Sequence, residues 1–201
     1  MNGSLTVATP FVNGVVDRMG YARGTDGWRR RPDGSPLELR MINGTSTESR
    51  RLAEFMKRSL DAISVKVSFD SMPGGDRLKR LSTCQFQMTT MGFGGGPPDG
   101  VSAMGNFHSP SIGTVNFSCY KSDDFDRTYE RLRVMPAGPE RAPVFAALTA
   151  LLDAHAPARI LPSADDVTLI APRVRGFAVN PFLPLPFYLL DLASAGDAPI
   201  R

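Results

Sequence analysis

Residues 37–91 read LELRMINGTSTESRRLAEFMKRSLDAISVKVSFDSMPGGDRLKRLSTCQFQMTTM, and this stretch decides the fold. Leu37, Leu39 and Met41 alternate with Glu38 and Arg40, the period of a half-buried strand. Thr45 and Glu48 have capping-box spacing and open a helix on which Leu52, Phe55, Met56, Leu60 and Ile63 share a face. Arg50, Arg51, Glu54, Lys57, Arg58 and Asp61 take the opposite face, so a surface helix packed on a neighbour is expected. Val65, Val67 and Phe69 alternate directly afterwards as a second strand. Gly74-Gly75 leads into a short helix with Leu78 and Leu81 inward, and Phe86 and Met88 mark a third strand that runs into a glycine cluster. Strand, helix, strand, helix, strand is the alternation that builds a sheet covered by helices.

Outward from this stretch the signals change. The first twenty residues show little pattern, and Gly24-Thr25-Asp26-Gly27-Trp28 and Pro32-Asp33-Gly34 are turn chemistry. Downstream, Ser122 and Asp123 open a helix with Phe125, Tyr129 and Leu132 on one side. Pro139, favoured at a first helical position, opens another that aligns Val144, Leu148, Leu151, Leu152 and His155. Val167–Ile170 and Val174–Val179 read as short strands.

Composition narrows the function classes. The chain has 201 residues, 42% hydrophobic and 21% charged, which are ordinary globular values. The net charge of +3 is mild, and its densest basic spot, Arg29-Arg30-Arg31, lies among turn residues without interleaved aromatics. It reads as a solvated turn rather than a phosphate-binding patch, and no nucleic-acid partner is expected. No apolar run is long enough to cross a bilayer, since the most apolar stretch, 178–193, is broken by Pro181, Pro184 and Pro186. The first residues lack a basic segment followed by an apolar one, so either the protein is cytoplasmic or its export signal lies upstream. Cys84 and Cys119 permit one disulfide at most, with buried free thiols the favoured reading.

The residues offer little to catalysis. His155 falls on an apolar helix face near a carboxyl end, where packing is expected, and His108 sits in a Gly/Ser/Pro-rich loop with no nucleophile–base pair nearby. Gly100-Val101-Ser102-Ala103-Met104 departs from a nucleophile elbow at its last position. Gly92-Phe93-Gly94-Gly95-Gly96 fits neither a dinucleotide fingerprint nor a P-loop. Two histidines and two cysteines far apart give no metal template, and neither a metal nor another cofactor is expected. What remains is Met91–Gly100, a glycine-rich loop after a strand. Its bare N–H groups can approach a ligand closely, and in open α/β sheets ligands lie outside the carboxyl ends of strands, so it reads as a site ahead of a connector.

The same residues resemble a known family. Gly24–Trp28 followed by Pro32–Leu39 is similar to the "D-x-D-G-x-W … G-x-P-L-x-L" start of the carboxy-terminal lobe in family 5 extracellular solute-binding proteins, the receptors of oligopeptide, dipeptide and nickel importers. Ile63–Val67 resembles that family's "G-I-x-V" strand, and Phe86–Phe93 its "F-D-M-x-x-x-G-W". Asn116–Tyr120 resembles "N-F-S-G-Y", Pro139–Arg141 resembles "D-P-x-x-R", and Pro172–Phe177 resembles "R-x-x-V-x-G-F". The resemblance implies an α/β class chain, a single lobe of a two-lobed periplasmic-binding-protein-like fold, its mixed sheet flanked by helices. It implies residues 1–20 as a hinge-proximal or irregular segment, 21–160 as the ligand-binding lobe, and 161–201 as returning strands and tail. It further implies a periplasmic receptor for a peptide-like or other small solute, an ABC permease as partner, and an amino-terminal lobe and export signal that lie outside this chain.

Matched to the family's ligand loop, the site residues are Phe93, Gly94, Gly95, Gly96, Pro97 and Asp99, with His108 and Asn116 as outer candidates. Gly96 stands where the family carries the aspartate that binds a peptide's amino group, and Phe93 where it carries tryptophan. Glycine cannot make that charge-assisted bond, which opens the ligand class to modified or capped peptides, opines, oligosaccharides, haem or a chelated metal. Two other classes stay open. One is a catalytic α/β domain using the glycine loop as an anion site with Asp99 or His108 as acid or base. The other is an isolated remnant that binds nothing and self-associates through its exposed half-site.

Overall fold

Parallel strands cannot be joined by tight turns, so each pair needs a crossover, and the crossovers here are helices. A computed structural model describes residues 3–92, 100–159, 169–178 and 189–193. The chain divides into two compact units, Met1–Gly92 and Phe93–Arg201, a division that falls inside the stretch 21–160 expected as one lobe.

In the first unit, α1 (Gly3–Arg18) precedes β1 (Glu38–Asn43), α2 (Thr47–Asp61), β2 (Lys66–Ser71), α3 (Gly74–Ser82) and β3 (Met88–Thr89). The three strands form a parallel sheet in the order β2-β1-β3. Strand β1 pairs with β2 from Glu38↔Lys66 to Asn43↔Ser71, but with β3 only at Met41↔Met88 and Ile42↔Thr89. Met41, Ile42, Val65, Val67, Met72 and Leu81 are buried as its core. The α/β class and the five elements expected over 37–91 are present, and the described main sheet is parallel.

Several details depart from expectation. The cap of α2 is Ser46, not Thr45: Ser46 is extended (φ −65°, ψ 159°) and its Oγ accepts from the Ser49 amide at 3.1 Å. The apolar stripe of α2 is only half covered, with Phe55 42% exposed, and on α3 Leu81 is buried while Leu78 faces out. Residues 3–18 are helical rather than irregular. Pro10 and Gly14 inside the helix and a first turn without acids remove the usual signals. The helix is instead tied down by a tertiary contact, the guanidinium of Arg29.

Arg29 is 1% exposed, so it is no solvated turn residue. Its Nε donates to Ile63 O (2.7 Å), Nη1 to Asp17 Oδ1 (2.6 Å) and Tyr21 O (2.5 Å), and Nη2 to Asn13 Oδ1 (2.8 Å). One planar fork thereby joins α1, the turn after it and the link between α2 and β2. A buried charge is tolerated only when its donors are satisfied, and here all three nitrogens have acceptors. Its backbone N–H also donates to Ser64 O, where Ser64 sits at φ 61°.

The second unit contains α4 (Val101–Gly105), a 3-10 turn at Ser109–Ser111, α5 (Asp123–Val134), α6 (Arg141–His155), and a separate antiparallel pair of β4 (Val174–Arg175) and β5 (Asp191–Leu192). Ser122 caps α5 by accepting from the Phe125 amide, and Asp123, Asp124 and Asp126 fill its first turn, favourable charge for a helix N-terminus. Phe125, Tyr129 and Leu132 are buried as expected, against Val144 and Leu148 of α6 and Tyr120. Fully burying side chains such as Phe125, Leu132 and Leu148 contributes about 1.5–3 kcal/mol each. Tyr120 and Phe107 meet Phe125 edge-on, at 5.5 and 6.3 Å between ring centroids. A Cβ at Gly105, which is buried, would lie 2.7 Å from Tyr129 Oη, so this close approach of α4 to α5 requires glycine.

Leu169 and Ile170 are described and carry no strand, while 167–168 and 179 of the other expected strand lie outside the described residues. Neither cysteine is a buried free thiol: both are disulfide-bonded, and Cys84 is exposed.

Replacing Arg29 with Ala is expected to cost about 3 kcal/mol or more, read as a lowered urea midpoint, with Arg29→Lys intermediate because a single ammonium cannot span four acceptors. The hydrogen bond from Arg29 holds the Asp17 carboxyl below its ordinary 3.8, outweighing the desolvation that opposes it. A depressed folded pKa stabilises above the unfolded value and that stability drains as pH falls through the folded one. Asp17→Asn should therefore flatten the acid limb of stability below pH 3.8 relative to the parent protein, measured by denaturation at stepped pH.

Candidate functional site

The crossovers place both helix starts on one edge of the sheet: α2 begins after β1 ends, and α3 begins after β2 ends. Because β1 has β2 on one side and β3 on the other, the chain reverses its direction of travel across the sheet at β1. The space outside the carboxyl ends of strands at such a reversal is where open α/β sheets take ligands.

Polar groups at this edge hold one another. Asn43 is buried and its Oδ1 accepts from Ser71 Oγ at 2.9 Å, joining the ends of β1 and β2. Thr89 Oγ1 donates to Ile42 O at 3.1 Å, joining β3 to β1. Arg77 of α3 donates through Nη2 to Thr89 Oγ1 at 3.2 Å and to Thr90 O, while its Nε is buried without an acceptor. The chain then continues to Met91 and Gly92, the last described residues before the loop.

Six of the expected site residues, Phe93, Gly94, Gly95, Gly96, Pro97 and Asp99, lie outside the described residues. The description resumes at Gly100, whose φ of 77° lies in the left-handed region and whose Cβ would meet Phe145 Cε1 at 3.3 Å.

His108 and Asn116 are brought together, but as scaffold. Asn116 is 0% exposed; its Nδ2 donates to His108 O (3.1 Å) and Tyr120 O (3.0 Å), and its Oδ1 accepts from Ser118 Oγ (2.8 Å). An enclosed amide with both hydrogens used has none left for a ligand. His108 is 8% exposed, with Nε2 3.0 Å from Glu130 Oε1 and its ring 4.8 Å from that of Tyr129. Both residues bracket the 3-10 turn onto α5, where Ser109 N donates to Asp126 Oδ1 at 3.0 Å. In this structure both residues support the turn. His155, exposed at the end of α6, has Nδ1 2.7 Å from Tyr120 Oη.

Asn43, Ser71 and Arg77 were absent from the expected site. Asn43 and Ser71 carried a positional signal, polar residues at predicted strand ends, whereas Arg77, inside a helix, carried none. A separate open depression lined by Asp70, Met72, Asp76, Lys79, Arg80 and Gln85 is occupied by the Arg80–Asp70 ion pair at 2.8 Å. Among the described residues no group of His, Cys, Asp or Glu could hold a metal, and no helix is long and apolar enough to cross a membrane.

The fold is that of one part of the periplasmic solute-binding proteins, as the motif series implied. The chain is similar to the oligopeptide-binding protein AppA of Bacillus subtilis, solved with a nonapeptide, at TM-score 0.71 and 14% identity over 92% of this chain and 37% of that one. It is similar to NikA of Brucella suis, solved with Fe(III)-EDTA, at TM-score 0.60 and 19% identity over 71% of this chain and 29% of that one. It is also similar to the ABC transporter-associated periplasmic binding protein DppA of Helicobacter pylori, solved with the peptide STSA, at TM-score 0.58 and 21% identity over 72% and 27%. The chain therefore spans about a third of the length of these proteins. No protein-family model and no curated protein matches it by sequence.

Asn116→Ala is expected to cost about 1–3 kcal/mol, because two buried carbonyls lose their donor. Thermal and chemical unfolding measure that loss; solute affinity of the folded fraction should not change.

Proposed function

We propose that this chain is the carboxy-terminal lobe of the substrate-binding component of an ABC importer. It captures a peptide-like or other small solute by closure against an amino-terminal lobe and delivers it to a membrane permease. No covalent step is involved. The observation that carries the reading is the fold: 92% of the chain follows a peptide-binding protein at TM-score 0.71. The disulfide-bonded cysteines support it, since disulfides persist in oxidising compartments such as the periplasm and are rare in the cytosol.

The solute contacts in this reading are Phe93, Gly94, Gly95, Gly96, Pro97 and Asp99, the residues matched to the family's ligand loop. Bare backbone N–H groups supply donors and Phe93 an aromatic face. Gly96 supplies no carboxylate for an ammonium group, which favours solutes without a free α-amine. The solved relatives hold a nonapeptide, the peptide STSA and Fe(III)-EDTA, so this fold accommodates ligands of different chemistry.

Isothermal titration of the full-length polypeptide with N-acetyl-tetraalanine, free-amine tetraalanine and Fe(III)-EDTA tests this. The acetylated peptide is expected to bind at least as tightly as the free amine, and Phe93→Ala to weaken it about tenfold. Gly96→Asp should shift preference toward the free amine by about 10- to 100-fold, the scale of one charge-assisted hydrogen bond. No heat with any of the three at millimolar concentration would sink the reading.

A further inference from the structure

Strand β3 is held to the sheet by only two paired positions, yet the residues matched to the ligand loop follow it directly in sequence. Backbone pairing that short leaves the direction of its last residues poorly fixed. A side chain supplies what the ladder lacks. Arg77 Nη2 donates to Thr89 Oγ1 at 3.2 Å and to Thr90 O, and Thr89 Oγ1 in turn donates to Ile42 O at 3.1 Å. The relay links α3 to β3 and β3 to the centre of the sheet.

Two features separate this from ordinary packing. The guanidinium is aimed at the end of the strand rather than at a carboxylate, although Asp76 is its neighbour in sequence and Asp70 stands at the end of β2, paired with Arg80 instead. Its Nε is buried without a protein acceptor, so the contacts of the side chain are concentrated at Nη2. Donors whose own bonds orient an adjacent contact surface are how sites gain geometry from residues that never touch the ligand.

We propose that Arg77 is a positioning residue of the solute site: it fixes the Thr90 carbonyl, and with it the course of Met91 and Gly92 as the chain leaves the sheet. This rests on the solute-binding reading. Lys at this position keeps the charge and a nitrogen with donors enough for both acceptors, but places it on a stem of different reach and geometry.

The full-length polypeptide with Arg77→Ala and Arg77→Lys tests it by two readouts, titration with N-acetyl-tetraalanine and peptide-level hydrogen exchange. For Arg77→Ala the exchange of residues 86–92 should quicken while 38–43 and 66–71 keep their protection, the melting temperature should hold, and affinity should fall about tenfold. Arg77→Lys should recover part of both. If the parent protein binds the probe and Arg77→Ala binds it equally well, the positioning role is overturned and the receptor reading stands. If the parent binds nothing but exchange changes only in 86–92, the receptor reading fails and Arg77 still fixes the strand end. Loss of protection across all three strands, or none anywhere, overturns the positioning role in either case.

Discussion

Everything in the first unit hangs on β1. Among the described strands it alone has partners on both sides, and both pairings are parallel. Parallel pairing forces each connection to cross back over the sheet, which dictates that helices follow β1 and β2 and that all three strands end on a common edge. The residues of β1 reflect that position: Met41, Ile42 and Asn43 are buried in succession, where a strand with one wet face would alternate. Asn43 is the polar member of that run, and it is tolerated because Ser71 meets it from the neighbouring strand.

A second constraint sits apart from the sheet. The guanidinium of Arg29 gathers acceptors from α1, from the turn beyond it and from the carbonyl of Ile63, so polar contacts fasten the amino-terminal helix. This explains how a helix with an internal proline and exposed Phe11 can be present at all. It also makes the unit's assembly conditional on a charge that is out of water, with α2 contributing a face that is only half covered.

The order of elements from 37 to 91 was legible because period-2 and period-3.6 patterns alternate there without interruption, and the cores of α5 and α6 were legible for the same reason. What escaped were features set by contact rather than by pattern. Arg29 looked like a turn residue because its neighbours in sequence are turn residues; its acceptors lie 8 to 34 positions away. The α2 cap moved from Thr45 to Ser46 because backbone angles, not spacing alone, decide which hydroxyl reaches an amide. Asn116 and His108 carried polar groups in a loop, which is equally the signature of a binding residue and of a turn that must satisfy its own carbonyls; both are buried, and Asn116 uses its amide hydrogens on the turn. The ligand loop was read from glycine content and strand order, and Arg77 was invisible to that reading because nothing local marks a helix arginine as facing a strand end.

The approach of α4 to Tyr129 has a consequence for how this chain can vary. With 2.7 Å between a would-be methyl at position 105 and the phenol oxygen, even the smallest side chain must displace the phenol end of Tyr129, which packs with Phe125, Leu132 and Leu148. Gly105 and Tyr129 therefore constrain each other: a larger residue at 105 fits only if the phenol shifts or is made smaller.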